Sequence, residues 1–308
     1  MILTAGLTPA WQQILTIDEL RIGHVNRAKD ALWCGSGKVL NAGIAAHHLG
    51  GPSLILSTMG GAASQAISDE FQAMSIPFRW VPTKSATRVC TTVVDLRGGT
   101  ITELVENGRA LASEELEEFC RAFAAEAAGA RVVVLMGTLP IETPDSYYRR
   151  LLEQVACPTV LDFRGAGLLS VLDLEPAVIK PNREELAQTL ARSLDDDLDL
   201  IAAMHELNQR GARSVVVTQG HGPVWLTLQG QAYRLHPLPV DQVVNPIGSG
   251  DAMAAGIAWA LRDGRHPVDS VRLGMAAAAG NLRQLLPCRL DPHQVNVDAR
   301  LIRVDRIA

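Results

Sequence analysis

Apolar positions along the chain gather into short runs rich in β-branched residues: ILTAG (2–6), SLILSTM (53–59), RVVVLMG (131–137), PTVLDF (158–163), AVIK (177–180) and RSVVVT (213–218). Continuous apolar runs of this length suit strands covered on both faces. Between most of them lie segments with helical spacing, including LNAGIAAHHLG, SEELEEFCRAFAAEAAG, PDSYYRRLLEQVA and EELAQTLAR. Strand alternating with helix predicts an α/β fold whose central, mostly parallel sheet is flanked by helices.

Two stretches break that rhythm. Residues 87–107, TRVCTTVVDLRGGTITELVEN, alternate roughly every second position around Gly98-Gly99, a pair able to take the positive φ of a tight hairpin turn. Residues 12–33, QQILTIDELRIGHVNRAKDALW, also read as extended. Together they predict a small antiparallel β-sheet inserted as two segments, 12–33 and 87–107, either an ordinary surface excursion or a lid over the sheet's carboxyl edge. The α/β core then comprises 1–11, 34–86 and 108–308. The free edge of such a sheet can pair with a second copy, so a homodimer through the lid is expected.

Composition narrows the setting. With 308 residues, 47% of them hydrophobic, the chain can bury a full core. Its cysteines, Cys34, Cys90, Cys120, Cys157 and Cys288, are scattered and form no C-x-x-C pair, which argues against a disulfide framework or a zinc site and fits a reducing cytoplasm. No basic leader precedes the first apolar residues, and no apolar run matches a bilayer, so no membrane partner is expected. A net charge of −5 without a Lys/Arg cluster argues against general affinity for nucleic acid.

The chain lacks G-x-x-x-x-G-K-[ST], a G-x-G-x-x-G after a strand, HExxH and G-x-S-x-G. What it carries is NPIGSGDAMAAGIAWAL (245–261), where one acid follows two glycines and opens an acid-free, Ala-rich helix. Gly248, Ser249 and Gly250 would free consecutive backbone N–H groups at the helix start, an anion hole suited to a phosphoryl group in transfer. Asp251 beside that hole suits a base that takes a proton from an attacking hydroxyl. It equally suits a helix cap.

The run VVNPIGSGDAMAAGIAWAL resembles the C-terminal signature of the PfkB (ribokinase-like) carbohydrate kinases. IKPNREEL (179–186), GSGKVLNAGIAAHHLG (35–50), MGTLPIETPDSYYRRLL (136–152) and ATRVCTTVVD with ELVENG are similar, in family order, to boxes of its 1-phosphofructokinase and tagatose-6-phosphate kinase branch. The resemblance implies a ribokinase-like three-layer fold with a β lid, and ATP-dependent phosphorylation of a sugar or sugar-phosphate hydroxyl, most closely a ketohexose phosphate. It implies Asp251 as general base, Gly248, Ser249 and Gly250 as the anion hole, and Gln12, Lys38, Asn41 and Arg88 as acceptor-binding residues. It also places Lys180, Asn182, Thr218, Gly220 and Asn281 at the nucleotide and Glu185 at Mg²⁺ through water. Departures are visible too: LTPAWQ puts Thr8 and Gln12 where the family has Asn and Asp, and Cys90 replaces the Asn after the lid arginine. A kinase of an unphosphorylated sugar or nucleoside, or a non-catalytic sugar-phosphate-binding relative, are the alternative readings.

Overall fold

The computed structural model describes residues 1–307. The chain opens on β1 (Ile2–Gly6), then leaves the main sheet for β2 (Ala10–Ile17) and β3 (Asp30–Ser36). It returns through α1 (Lys38–His48), β4 (Ser53–Met59), α2 (Ala63–Ala73) and β5 (Phe78–Pro82), and departs again as the hairpin β6 (Arg88–Asp95) and β7 (Thr100–Val105). Then follow α3 (Ser113–Ala127), β8 (Val132–Met136), α4 (Tyr147–Leu152), β9 (Thr159–Asp162), α5 (Ala166–Leu169), β10 (Val178–Ile179), α6 (Arg183–Leu190) and α7 (Asp197–Gln209). The last part holds β11 (Ser214–Val217), β12 (Val224–Leu228), β13 (Gln231–Leu235), α8 (Ser249–Arg262), α9 (Pro267–Leu282), α10 (Pro292–Leu301) and β14 (Val304–Arg306).

The large sheet has the order β14-β13-β12-β11-β10-β9-β8-β1-β4-β5. From β11 to β5 every pairing is parallel, whereas β12, β13 and β14 join antiparallel. The antiparallel edge goes beyond the sequence expectation, because hairpin-linked strands lack the intervening helix that marks a crossover. Strand periodicity sends successive side chains to opposite faces. On β8, Val132, Val134 and Met136 join the layer with α1, α2, α8, α9 and α10, while Val133 and Leu135 join the layer with α3 to α7. Both layers are closed and apolar, which explains why the strand sequences read as unbroken hydrophobic runs.

The second sheet, β3-β2-β6-β7, corrects the expectation of a purely antiparallel arrangement: β2 runs parallel to β6. Each of these strands leaves the large sheet at the same, carboxyl edge, β2 after β1 and β6 after β5, so they rise side by side in one direction. β2 starts at Ala10 and β3 runs on to Ser36, so the strands extend past 12–33 at both ends. Within the hairpin only Gly99 takes a positive φ, +61°; Asp95 steadies the turn by accepting from Gly98 N at 2.8 Å. Gly37 (φ +85°) links β3 to α1, and a Cβ there would stand 3.0 Å from Ala10 N and Thr8 O. That tight link starts α1 at Lys38, two residues before the predicted helix. No helix among the described residues is long and apolar enough to cross a membrane.

α8 and α9 pack almost backbone to backbone. A Cβ on Gly256 would lie 2.9 Å from Gly274 Cα and from Leu273 O. Gly256→Ala must therefore push the helices apart, and we expect a loss of about 1–3 kcal/mol. Thermal denaturation reads this directly; an unchanged melting temperature would show that the helix pair absorbs a methyl group.

Candidate active site

The carboxyl ends of β9, β10 and β11, the first turns of α1 and α8, and the small sheet enclose a cavity of about 490 Å³. It is lined by Gln12, Lys38, Asn41, Arg88, Lys180, Asn182, Glu185, Thr218, Gly220, Gly248, Ser249, Gly250 and Asp251. These sequence-predicted residues come from distant parts of the chain and meet because parallel strands deliver their carboxyl ends to one edge.

α8 begins at Ser249 behind Gly248, whose φ of +87° turns the chain into the helix. No side chain caps this start. Asp251 lies inside the first turn, buried, and its Oδ2 accepts from Asn41 Nδ2 at 2.9 Å instead of a backbone amide. The helix-cap reading of Asp251 therefore fails on geometry; Ser249 N donates to Pro246 O at 3.1 Å, against the expectation that it joins the anion hole, and the amides of Gly250 and Asp251 are left for a ligand. Burial pushes the Asp251 carboxyl up to about 6; the Lys38 ammonium and the Asn41 bond pull the other way, and neighbouring Asp162 adds to the rise. A carboxylate poised there can accept a proton near neutrality.

Beside it stands Asp162, which sequence reasoning missed. It closes β9, 2% exposed, and receives Lys38 Nζ at 2.8 Å and Lys180 Nζ at 2.9 Å. The two ammonium groups hold its carboxyl below the usual range despite burial, and Asp162 in turn keeps Lys38 protonated. The available signal was an acid ending an otherwise apolar strand, PTVLD, at the ligand-binding edge. Lys38 also lies 3.8 Å from Glu185 Oε1. Its charge is thus engaged among the central carboxylates. A Cβ on Gly250 would come within 3.5 Å of Lys180 Nζ, which puts that cation under the start of α8.

Asn182 and Glu185 form a reciprocal cap of α6: Asn182 Oδ1 accepts from Glu185 N at 2.7 Å, and Glu185 Oε2 accepts from Asn182 N at 2.9 Å. One oxygen of Glu185 remains for the cavity. Thr218 bridges to Asn182 as an isolated parallel pair, tying the end of β11 to that turn. Arg88 donates to the carbonyls of Thr8 at 3.2 Å and Glu106 at 3.0 Å, and Gln12 donates to Thr92 Oγ1 at 2.6 Å. Asn281 departs from the nucleotide-binding expectation. It is fully buried beneath the loop before α8, donating to Ile247 O (2.9 Å) and Ser249 Oγ (3.0 Å) and accepting from Cys288 N (2.7 Å). With its amide spent in this way, it shapes the loop before α8 from below.

A second hollow of about 430 Å³ adjoins the first across Thr218, Gly220, Ser249 and Gly250. Its walls, including Val224, Leu238, Val243, Met253 and Met275, are apolar and fit a flat heterocycle. No group of three or more His, Cys, Asp or Glu side chains among the described residues could cage a metal. The donors present, Asp162 and one oxygen of Glu185, fit a hard ion that keeps water and takes ligands from phosphate.

The family model of the pfkB family carbohydrate kinases matches residues 25–290. The chain belongs to the pfkB family. It is therefore a carbohydrate kinase, a phosphotransferase with an alcohol group as acceptor. Among solved structures, a possible 1-phosphofructokinase of Thermotoga maritima superposes with a TM-score of 0.90 at 20% identity, covering 100% of this chain and 99% of that one. Phosphofructokinase-2 from Escherichia coli in complex with potassium gives 0.89 at 22%, covering 97% and 98%. Arabidopsis thaliana ribokinase complexed with ribose and ATP gives 0.75 at 20%, again 97% and 98%. These likenesses establish a ribokinase-like fold for the pfkB chain.

The two buried acids predict opposite responses to neutralisation. A raised acid pKa means that the native state binds more protons than the unfolded chain, so Asp251 lowers stability as pH rises from about 4 to about 6. Asp251→Asn should raise stability at pH 7, by up to about 3 kcal/mol, and change little at pH 4. A lowered acid pKa works in reverse, and Asp162 contributes stability that is lost as pH falls through its folded value. Asp162→Asn should lower stability at pH 7 by about 3–5 kcal/mol, because two ammonium groups lose their shared partner. Calorimetry of both variants at the two pH values checks the signs; equal shifts would contradict them.

Proposed function

We propose that the protein transfers the terminal phosphoryl group of ATP to a hydroxyl of a ketohexose phosphate, of the fructose 1-phosphate or tagatose 6-phosphate type. The observation that carries this reading is Asp251, buried with a raised pKa beside the uncapped amides of α8 and within one cavity with Lys38 and Lys180. The apolar hollow beyond Ser249 and Gly250 would take the base of the nucleotide, and its phosphates would run along the start of α8 toward Lys180. Phosphofructokinase neighbours, including phosphofructokinase-2 of E. coli solved in complex with fructose-6-phosphate, support a sugar phosphate as acceptor.

In this reading the acceptor enters under the small sheet, which acts as a lid, with Gln12, Asn41 and Arg88 around it. Asp251 takes the proton of the attacking hydroxyl, and the α8 amides with the Lys38 and Lys180 ammonium groups stabilise charge on the transferring group. Asn41 holds Asp251 in place by its 2.9 Å bond. Asp162 orients both lysines, and Glu185 with Asp162 would hold Mg²⁺ through water. When bound, Mg²⁺ neutralises phosphate charge. Arg88 is the cavity cation that the lid itself carries, on β6, so it is assigned to the acceptor's own phosphate.

A second copy is the proposed partner. The small sheet leaves Trp33 and Leu104 exposed at 44% and 61%, and Trp33 stacks on Trp11 with ring centroids 5.6 Å apart. An apolar patch on an open-edged sheet supports association there. Sedimentation should then give a dimer that Trp33→Glu converts to monomer; a monomeric wild type would rule it out.

The test of function is ADP release with fructose 1-phosphate, fructose 6-phosphate, tagatose 6-phosphate, free hexoses and nucleosides. Phosphorylated ketohexoses should be turned over best, and Arg88→Ala should raise their KM. Free fructose used as well as its phosphates would overturn the acceptor assignment. Asp251→Asn should retain nucleotide affinity and lose about 10²–10⁴ in kcat. Because the carboxylate form is required, wild-type kcat/KM should climb as pH rises through about 6 and level off above.

A further inference from the structure

Four carboxylates line the main cavity, and three of them already have hydrogen-bond or ion-pair partners within the chain. Asp162 holds two lysines, Asp251 accepts from Asn41, and Glu185 caps α6. The fourth, Glu103 on β7, lines the same cavity and takes no hydrogen bond among the described residues. It stands directly opposite Thr92 in the β6–β7 pairing, while Val105 stands opposite Cys90. Thr92 Oγ1 is the group that occupies the Gln12 amide at 2.6 Å. Opposed residues of an antiparallel pair carry Cβ atoms about 4.5–5.5 Å apart. Glu103 is therefore one side chain away from Gln12, on the lid side of the cavity, across from the anion hole.

The lid side needs an acceptor of hydrogen bonds. A sugar presents several O–H donors, and Gln12 offers only its neutral carbonyl once its N–H₂ is engaged with Thr92. Arg88 brings donors and no acceptor. Glu103 is flanked by Val105 on the cavity side. Arg88 lines the same cavity; desolvation raises the Glu103 pKa and the Arg88 charge opposes the rise. A carboxylate beside a cation and an apolar side chain is a recognition element for a hydroxyl next to a charged group.

We infer that Glu103 is an acceptor-binding residue, whose carboxylate takes a hydrogen bond from a hydroxyl of the sugar on its lid-facing side and so helps set which sugar is used. This deepens the proposed function and rests on it for the acceptor class. It adds a ligand group from β7, a strand to which the sequence reading assigned no site residue.

The test uses the full-length protein with the panel acceptor that the wild type turns over best. Glu103→Gln keeps size and removes the charge; Glu103→Asp keeps the charge and shortens the reach. Glu103 is exposed in the free chain, so both variants should fold, with melting temperatures near wild type as the control. Loss of a charge-assisted bond predicts an acceptor KM raised roughly tenfold or more in Glu103→Gln, an intermediate value in Glu103→Asp, and an ATP KM within about twofold of wild type. The ratio of kcat/KM between fructose 6-phosphate and tagatose 6-phosphate should change alongside. An acceptor KM and sugar ranking unmoved in Glu103→Gln, with the wild type active, would overturn the inference alone. A wild type inert toward every acceptor would overturn the proposed function and this inference together. A rise in both KM values with a lowered melting temperature would make Glu103 structural and overturn it as well.

Discussion

Two carboxylates, Asp162 and Asp251, are buried side by side at the carboxyl edge of the large sheet, and both must be charged for the site to work as proposed. Burial alone would neutralise them. Asp162 is kept ionised by two ammonium groups, at 2.8 and 2.9 Å, and the surplus of positive charge reaches Asp251 as well. The compensation is incomplete in its effect: Asp251 ends near 6, ionised at neutrality yet basic enough to take a proton. The Asp162 contacts therefore set the electrostatics around the neighbouring Asp251, and the other elements can be understood by how they supply those contacts.

Lys38 can reach Asp162 because α1 begins at once after β3, at a junction where Gly37 takes a positive φ and a Cβ would stand only 3.0 Å from Thr8 O and Ala10 N. Lys180 reaches it because β9 and β10 are parallel neighbours whose ends, Asp162 and Lys180, come out together. Asp251 comes from α8, which sits close enough to the sheet because its Gly256 face packs on α9 without side chains between them. Asn281 on α9 then holds the loop that precedes α8. Helix packing far from the cavity thus fixes where the start of α8 stands.

Much of this was legible in the sequence. The buried strands and their helices followed from apolar periodicity, and GSGD and KPNREEL marked the two helix starts that line the cavity. What escaped depends on partners distant in sequence. Asp162 looks like any strand-terminal acid until two lysines, at positions 38 and 180, are seen around it. The parallel β2–β6 pairing escaped because strand direction is set by where each segment leaves the core, which alternation does not encode. Asn281 was placed at the nucleotide by the family resemblance, and only packing reveals that its amide is consumed by the loop above it.

The division of labour between the two sheets follows from the same physics. The large sheet, closed on both faces by apolar helices, can hold charged groups rigidly at its carboxyl edge, where their mutual distances matter most. The small sheet has open edges, a hairpin and no buried residue on β7, so its side chains can follow a sugar as it enters and leaves. In the proposed function the groups that perform phosphoryl transfer belong on the former and those that distinguish one sugar from another on the latter. Gln12, Arg88 and Glu103 all reach the cavity from the small sheet, while Lys38, Asp162, Lys180 and Asp251 all come from the α/β core. On that proposal, changes of acceptor can accumulate on β2, β6 and β7 without disturbing the charge balance that Asp162 maintains.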